Sequence, residues 1–258
     1  MGSGHKRKAG AMGVERLWHV LRTRAPAAIK PVPPDFLRGK RVAVDAPIHA
    51  VRLARRSYAE FHGRLLAAGC FPVHVFDGPR HACKVRRRDR RNAAPPERGA
   101  PNFISALRQL PQGSAMAFAT HDAEAYCAYM ALKNQVDVVM TDDTDSLAFG
   151  TPLTLFNYER PNACLVSMAD VLQLLRLTDA QFVDFCSLSG TDFSATIPRL
   201  GPLGALRAVR CYGSLEMVCQ RRDVEPSECG VFTARNVLMW PRERASGQTQ
   251  MTEYFAPR

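Results

Sequence analysis

Short apolar runs alternate with helix-like stretches along the chain from Gly13 onward. Apolar runs of four to eight residues between turn signals are typical of buried strands, and apolar residues three and four positions apart are typical of helices. The pattern predicts strands at 41–45, 72–76, 115–119, 136–140 and 153–156, and helices near 48–67, 102–110, 122–133, 168–176, 179–188 and 202–210. This alternation predicts an α/β fold with a mainly parallel central sheet flanked by helices.

Local sequence signals predict the starts of two helices and divide the chain into three regions. Thr178 and Gln181 have the spacing of a capping box, and Pro202 follows Gly201 as proline does at the first turn of a helix. Residues 1–11 are small and basic, which predicts a disordered tail or a tag. We expect one domain over residues 12–222 and an irregular, polar tail over residues 223–258.

Composition argues against a membrane-spanning protein, a secreted protein and a zinc ribbon. The chain has 258 residues, of which 46% are hydrophobic and 23% charged, as in globular proteins. No apolar run approaches the roughly 18 residues of a membrane span, and the amino terminus has no apolar signal core. The eight cysteines form no CxxC pair, so no zinc ribbon is predicted. We therefore expect an intracellular protein in a reducing compartment, without a membrane partner.

Charge adds an expectation about the partner. The chain has a formal net charge of +11, and residues 1–100 alone hold 22 basic and 7 acidic side chains. Lysine and arginine side chains gain affinity for nucleic acids by displacing counterions from phosphates. The basic first part of the chain indicates a polyanionic partner, although a solvated basic surface has the same composition.

Carboxylates follow four of the predicted strands. They are Asp45 and Asp77 at the ends of the first two strands, Asp122 and Glu124 after the third, and Asp143 and Asp145 after the fourth. The carboxyl ends of parallel strands share one edge of a sheet, so six carboxylates are expected to converge there. Their mutual repulsion is unfavourable unless cations bind between them. Pairs of Mg²⁺ ions bind such oxygen ligands and promote phosphodiester displacement.

A set of ordered motifs resembles the flap endonuclease family, the XPG-type structure-specific 5′ nucleases, over roughly residues 12–212. The matching segments are Met12-Gly13-Val14 with Leu17-Trp18, Val44-Asp45-Ala46, Val75-Phe76-Asp77-Gly78, Asp122-Ala123-Glu124-Ala125 with Cys127-Ala128, Thr141-Asp142-Asp143-Thr144-Asp145-Ser146-Leu147, and Leu188-Ser189-Gly190-Thr191-Asp192-Phe193. The resemblance implies a PIN-like 5′-nuclease fold with a helix-two-turn-helix element at about 180–212.

The resemblance also implies a metal site. By position, Asp45, Asp77, Asp122 and Glu124 correspond to the ligands of one Mg²⁺ ion, and Asp143, Asp145 and Asp192 serve a second ion, partly through water. Mn²⁺ is expected to substitute for Mg²⁺. Asp122 stands where the family usually has glutamate, and its shorter side chain predicts an altered metal spacing or ligation through a bridging water.

A basic segment follows Asp77. On a helix, four of its side chains share one face, Lys84, Arg87, Arg88 and Arg91. Lys84 and Arg91 match a lysine and an arginine that contact the scissile phosphate in the family, so the resemblance implies a catalytic role for both. The remaining side chains are expected to contact the DNA backbone, together with Arg52, Arg55 and Arg56.

The helix-two-turn-helix motif is only partly matched. Gly201 and Gly204 lie where the family's turn binds duplex phosphate through a K⁺ ion, but Arg199 replaces a common glycine. We therefore expect DNA binding here, and K⁺ binding is a weaker expectation. An ordinary turn between two helices would have a similar sequence.

Two intervals and one residue depart from typical cellular members. Only 32 residues separate Asp45 from Asp77 and 45 separate Asp77 from Asp122, and Val51 replaces a tyrosine that stacks on a base. These shorter intervals imply a reduced wedge and cap, and so looser discrimination among flapped, nicked and single-stranded ends. The compact size suggests a viral member.

The last segment resembles the motif that binds the sliding clamp PCNA. Its residues are Gln248, Met251, Tyr254 and Phe255. The last three form one apolar face on a single helical turn, suited to a hydrophobic pocket. A tail that packs back on its own domain is the simpler alternative.

The preferred interpretation is a monomeric Mg²⁺-dependent 5′ nuclease that cuts branched, flapped or nicked DNA during replication and repair. We expect it in the nucleus or at an intracellular site of viral DNA replication. Two alternatives stay open at this point, an RNA-cleaving nuclease like the herpesvirus host-shutoff proteins and a non-catalytic scaffold bound to the clamp.

Overall fold

The computed structural model describes residue 14 and residues 16–52, 57–79, 81, 83–84, 106–158 and 160–247. Several predictions concern residues outside these ranges. They are the tail at 1–11, the side chains of Arg55, Arg56, Arg87, Arg88 and Arg91, and the clamp motif of Gln248, Met251, Tyr254 and Phe255. For Arg52 only the backbone is described.

A seven-stranded sheet forms the centre of the described structure, in the order β1-β7-β6-β5-β2-β3-β4. The strands are β1 Ile29–Pro31, β2 Arg41–Asp45, β3 Phe71–Phe76, β4 Met116–Phe118, β5 Val138–Met140, β6 Leu153–Phe156 and β7 Cys164–Ser167. The four pairs from β6 through β5, β2 and β3 to β4 are parallel, and β7 pairs antiparallel with β1 and β6. The predicted mainly parallel α/β sheet is therefore confirmed.

Helices cover both faces of the sheet and form an additional layer beside it. They are α1 Leu17–Arg24, α2 Ala46–Arg52, α3 Tyr58–Ala67, the described part of α4 at 106–109, α5 Ala123–Leu132, α6 Asp145–Ala148, α7 Met168–Leu175, α8 Asp179–Ser189, α9 Pro202–Tyr212, α10 Leu215–Arg222, α11 Pro226–Cys229 and α12 Val231–Ser246. Among the described helices we find none with the length and apolar content that crossing a bilayer requires.

The alternating direction of side chains along the central strands explains why helices pack on both faces of the sheet. In β2, Val42 and Val44 point to a core shared with α2 and α3, whereas Ala43 points to a core shared with α5. Successive side chains on a strand point to opposite faces, so a strand buried on both faces is apolar at every position. This accounts for the uninterrupted apolar runs from which the strands were predicted.

Under α3, three buried side chains form a hydrogen-bonded series. The hydroxyl of Tyr58 lies 2.9 Å from Nδ1 of His74, and Nε2 of His74 lies 2.9 Å from Nδ1 of His62. Burial, together with His62 and His49, lowers the pKa of His74 to about 3. The neutral form of His74 is therefore part of the folded core.

The capping box at Thr178 is confirmed, because its side chain accepts from the Gln181 amide at 3.2 Å and the Gln181 side chain accepts from the Thr178 amide at 3.0 Å. The start of α9 at Pro202 is confirmed as well. The short strands β1 and β7 and the helices α1 and α10 were not predicted.

The prediction of an irregular tail after residue 222 is wrong over much of its length. Residues 231–246 form α12, the longest described helix, with 16 residues. It buries Val231, Ala234, Val237 and Leu238 against the helical core. These positions are three, three and one residues apart, which is helical spacing. The polar residues between them give the segment a polar composition, and this is why an irregular tail was predicted.

Candidate metal centre

Four neighbouring parallel strands deliver carboxylates to one edge of the sheet. Asp45 is the last residue of β2, Asp77 follows β3, and Asp122 is the residue immediately before α5. Asp143 and Asp145 follow β5. Asp45, Asp122, Asp143 and Asp145 are all buried, with exposed fractions of 1 to 8%. The predicted convergence of acidic side chains at this edge is therefore what the structure shows.

Three of the carboxylates form a compact group. Oxygen atoms of Asp77, Asp122 and Glu124 all lie within 4.8 Å of one another. The amide of Ala123, in the first turn of α5, donates to Oδ1 of Asp77 at 2.9 Å. Asp77 thus satisfies an unpaired amide at the positive end of the helix, which stabilises its negative charge. Asp122 makes no capping bond of its own and instead pairs with the ammonium of Lys84.

Gly78 allows the loops that carry Asp77 and Asp122 to approach closely. Its amide donates to the carbonyl of His121 at 2.7 Å. A Cβ atom at Gly78 would lie 2.2 Å from the carbonyl oxygen of Ala119 and 2.6 Å from that of Thr120. Both contacts are with backbone, which has no room to move aside. Glycine is therefore required here for close packing of the two loops.

On the other side of the centre, Thr141 connects two acidic residues. Its hydroxyl donates to Oδ2 of Asp45 at 2.6 Å and accepts from the amide of Asp143 at 3.0 Å. Oδ1 of Asp143 in turn accepts from the amide of Asp145 at 2.9 Å. This series fixes three carboxylates relative to one another. Thr141 lies within one of the sequence motifs, but no role was predicted for it.

The electrostatic balance of the cluster disfavours full ionisation. Burial, together with the charges of Asp77 and Asp143, raises the pKa of Asp45 to about 8, although the hydrogen bond from Thr141 opposes the shift. Burial also raises the pKa of Glu124 well above its usual value, with contributions from the same neighbouring carboxylates. Like charges in a desolvated site favour proton or cation uptake.

Two carboxylate oxygen atoms of the cluster are buried without a hydrogen-bond donor among the described residues. Oδ1 of Asp45 and Oδ1 of Asp145 accept no hydrogen bond within the part of the chain that the structure describes. A buried carboxylate oxygen without a donor is costly unless a cation satisfies it. The donor set consists of carboxylate oxygens, which Mg²⁺ and Mn²⁺ prefer. The residues present therefore fit a divalent hard cation.

Asp192 lies in the loop between α8 and α9 and is half-buried. Its charge acts on both Asp145 and Lys84, which places it beside the rest of the cluster. The hydroxyl of Thr191 accepts from the amide of Phe193 at 3.0 Å and holds this loop. All seven acidic residues predicted from the sequence are thus brought to one region.

Lys84 is the positive group of the centre. Its ammonium pairs with Asp122 and lies 5.8 Å from the centre of the Phe193 ring. Although burial works against its charged form, Asp122 and Glu124 raise the pKa of Lys84. The ammonium is therefore charged at neutral pH.

At the turn between α8 and α9, Arg199 has a backbone φ of 60°, in the left-handed region. This conformation explains why a glycine is suited to the position, since only glycine adopts it without a steric cost. Gly201 is exposed and precedes α9, and a Cβ atom on it would meet no neighbour within 4 Å. A Cβ on Gly204 would lie 3.3 Å from the Leu200 side chain.

Sequence reasoning also missed Arg242, which braces the centre from α12. Its guanidinium donates to both carboxylate oxygens of Asp179, at 2.5 and 2.7 Å, and to the carbonyl of Ala148 at 2.9 Å. Ala148 ends α6, the short helix that begins at Asp145. A Cβ on Gly150 would lie 2.6 Å from the guanidinium carbon. The only sequence signal was a basic residue within a stretch of helical spacing.

The fold and the acidic edge define an α/β protein of the 5′-nuclease type. Comparison with known proteins agrees with this class. The XPG I-region model matches residues 113–192. Flap endonuclease 1 of Ostreococcus lucimarinus is 28% identical over an alignment that covers 83% of this chain and 69% of that protein.

Solved structures give the same assignment. The catalytic core of Rad2 in complex with DNA substrate superposes with a TM-score of 0.69 and 26% identity, covering 82% of this chain and 72% of that one. Flap endonuclease-1 from Methanococcus jannaschii, at 21% identity and a TM-score of 0.60, shares the fold and covers 81% of each chain. The matched family model, the relatives and these structures together support an XPG-type flap endonuclease family for this chain.

Proposed function

We propose that this protein is a metal-dependent, structure-specific 5′ nuclease that hydrolyses phosphodiesters in flapped, branched or nicked DNA. The observation that carries the proposal is the convergence of carboxylates from four parallel strands, with two buried oxygen atoms that the described residues leave unsatisfied. Such a cluster is unfavourable by itself, and it becomes favourable when divalent cations bind.

The carboxylates divide into two groups that would hold the cations. Asp77, Asp122 and Glu124 form the compact group, joined by Asp45, while Asp143, Asp145 and Asp192 form the other. Bound Mg²⁺, or Mn²⁺ in its place, would supply Lewis-acid activation of water and of the phosphoryl group. The half of the site near α6 is held in position by Thr141 and by the contact of Arg242 with Ala148.

Lys84 supplies positive charge beside the acidic groups. A phosphodiester gains negative charge on its oxygens during hydrolysis, and a fixed ammonium nearby stabilises that charge. The pairing of Lys84 with Asp122 and its position over the Phe193 ring hold the ammonium beside the compact group. We assign the same task to Arg91.

DNA as the substrate is supported by charge and by the relatives. Residues 1–100 hold most of the positive charge, and the Rad2 catalytic core was solved with a DNA substrate. We propose that the exposed turn before α9, with Gly201, contacts duplex phosphates and is also where K⁺ would bind. Amides at a helix start are suited to phosphate, with or without an intervening cation.

The experiment is cleavage of end-labelled flap, nick, gap and single-strand DNA with and without Mg²⁺, beside an unstructured RNA of equal length. We expect cutting of DNA ends with 5′ branches that stops when EDTA is added. Faster cutting of the RNA would instead favour the host-shutoff type of activity.

A matched pair of variants separates catalysis from binding. Asp143→Asn should abolish cleavage while DNA binding persists. Asp142→Asn should cut almost normally, because Asp142 accepts from the amide of Asn157 at 2.5 Å and an asparagine oxygen can accept the same bond. Equal cleavage by Asp143→Asn and wild-type protein would contradict the metal-dependent mechanism, whereas DNA binding without cleavage by the wild-type protein would leave a scaffold role.

We further propose that residues 248–255 bind a sliding clamp in the nucleus or at a viral replication site. The support is the clamp motif of Gln248, Met251, Tyr254 and Phe255, which follows α12 after one residue. Phe255→Ala should weaken binding to PCNA at least tenfold in a direct binding assay while cleavage of naked DNA is unchanged. Equal PCNA binding by both proteins would contradict this assignment.

A further inference from the structure

A short turn between β3 and the catalytic lysine depends on one histidine. The amide of Lys84 donates to the carbonyl of His81 at 3.1 Å, and the amide of Cys83 donates to Nδ1 of the same residue at 3.1 Å. Backbone and side chain of His81 thus satisfy the amides of Lys84 and Cys83. Without these acceptors, the partly buried turn would have no internal hydrogen bonds among the described atoms to fix the direction of Lys84.

The hydrogen bonds define the protonation of two imidazole rings. An amide can only donate, so Nδ1 of His81 is the unprotonated nitrogen and its proton resides on Nε2. Nδ1 of His121 lies 3.0 Å from the carbonyl oxygen of Pro79, which can only accept, so that nitrogen carries the proton. The two rings contact edge to face with centres 4.7 Å apart.

His81 also contacts the other half of the centre. Its ring meets Phe193 edge to face, with centres 5.7 Å apart, and it is 4% exposed. The same Phe193 ring lies under the Lys84 ammonium. His81 therefore packs between the loop before α5, through His121, and the loop that carries Asp192. It fixes the turn and contacts the surface on which the ammonium rests.

We propose that His81 is a positioning residue for Lys84, acting through the Nδ1 acceptor and through its packing on Phe193. The proposal rests on the proposed nuclease function, in which Lys84 contacts the reacting phosphate. His81 itself makes no contact with substrate in this assignment. Because displacement of a reacting group by about 1 Å can cost on the order of 100-fold in rate, a turn of this kind has a measurable kinetic effect.

Three substitutions distinguish the role of the acceptor from that of the side chain's bulk. In His81→Asn the side-chain oxygen occupies the position of Nδ1 and can accept from Cys83. In His81→Gln the oxygen lies one bond further out, where Nε2 stands. His81→Leu removes the acceptor and keeps an apolar side chain. Melting temperatures of the three variants show whether each has folded.

The kinetic test uses single-turnover cleavage of a 5′-flap DNA with Mg²⁺, for each variant with Lys84 present and with Lys84→Ala. We expect about a tenfold loss for His81→Leu and His81→Gln and less than threefold for His81→Asn. In the Lys84→Ala background, His81→Leu should cost less than twofold. Equal losses in both backgrounds, or no rescue by asparagine, would overturn the proposal.

A structural measurement keeps this proposal separate from the proposed function. Crystal structures of wild-type and His81→Leu proteins should show the Lys84 ammonium paired with Asp122 only in the former. A Lys84 that keeps its pairing in the variant contradicts the positioning role, whatever the activity. Absence of DNA cleavage by wild-type protein that has the Lys84 pairing intact would instead contradict the nuclease function.

Discussion

Neutralising Asp45 should make the metal-free protein more stable. Asp45 is 1% exposed, and burial together with the neighbouring carboxylates raises its pKa to about 8. An ordinary aspartic acid loses its proton near pH 4. Between these two values the unfolded chain releases the proton and the folded chain keeps it. The contribution of Asp45 is therefore complete below about pH 4 and is lost progressively as the pH rises towards 8.

The size of the effect follows from the interval between the pKa of Asp45 in the unfolded chain and in the folded protein. Each pH unit corresponds to about 1.4 kcal/mol, so the cost at pH 7 has an upper limit of about 4 kcal/mol. Asparagine has the shape of the protonated acid and can still accept from Thr141. We expect Asp45→Asn to raise the metal-free free energy of unfolding by about 2 to 4 kcal/mol at pH 7, since local relaxation reduces the limit. At about 2 to 4 °C per kcal/mol, the midpoint should rise by roughly 5 to 15 °C.

The assay is thermal and urea unfolding in EDTA at pH 5, 6, 7 and 8, repeated with Mg²⁺. The stability difference between variant and wild type should grow with pH, and Mg²⁺ should stabilise wild-type protein more than the variant because it binds the folded state. Asp35→Asn is the surface control, since its side chain is 76% exposed. Lower metal-free stability of Asp45→Asn at pH 7, or an equal Mg²⁺ shift in both proteins, would refute the reasoning.

Three further perturbations test other parts of the structure. Gly78→Ala should destabilise the protein by about 1 to 3 kcal/mol in a melting assay and reduce cleavage, because the new Cβ atom meets backbone atoms. Its control is Gly63→Ala in an open part of α3, which should be neutral or stabilising in the same assay. Arg242→Met should cost about 2 kcal/mol in chemical unfolding through lost charged hydrogen bonds, whereas the exposed Arg244→Met should change stability by less than about 0.5 kcal/mol. For His74, whose pKa is lowered to about 3, the folded state resists protonation, so wild-type stability relative to His74→Phe should fall by up to about 1.4 kcal/mol per pH unit as the pH drops below about 6.5. A pH-independent difference would contradict the last expectation.

The parallel core of the fold was predictable because its signal is local. A strand such as β2 is buried on both faces, so it appears in the sequence as an apolar run. The edge strand β1 has three residues, Ile29–Pro31, and its burial pattern has no buried position. Pairing with β7 creates it, and a pattern of hydrophobic positions contains no information about that pairing.

Some residues of the candidate site were likewise predictable from the sequence, and others were not. The carboxylates were predictable because each follows a strand, and parallel topology then brings the strand ends together. The groups that orient them were not, because they act across long separations in sequence. Thr141 and Asp45 are 96 residues apart, and Arg242 and Ala148 are 94 apart. No local pattern distinguishes such a threonine or arginine from others in the chain.

The segment predicted to be an irregular tail proves to connect both halves of the metal centre. At its start, the carbonyl of Cys229 accepts from the amide of Ala195 at 3.0 Å, close to the loop that carries Asp192. At its end, Arg242 holds Ala148 at the end of the α6 helix that begins with Asp145. A helix of 16 residues spans about 24 Å. Because α11 contacts one loop and α12, which follows it after Gly230, contacts the other, displacement of the two helices should disturb both groups of carboxylates together.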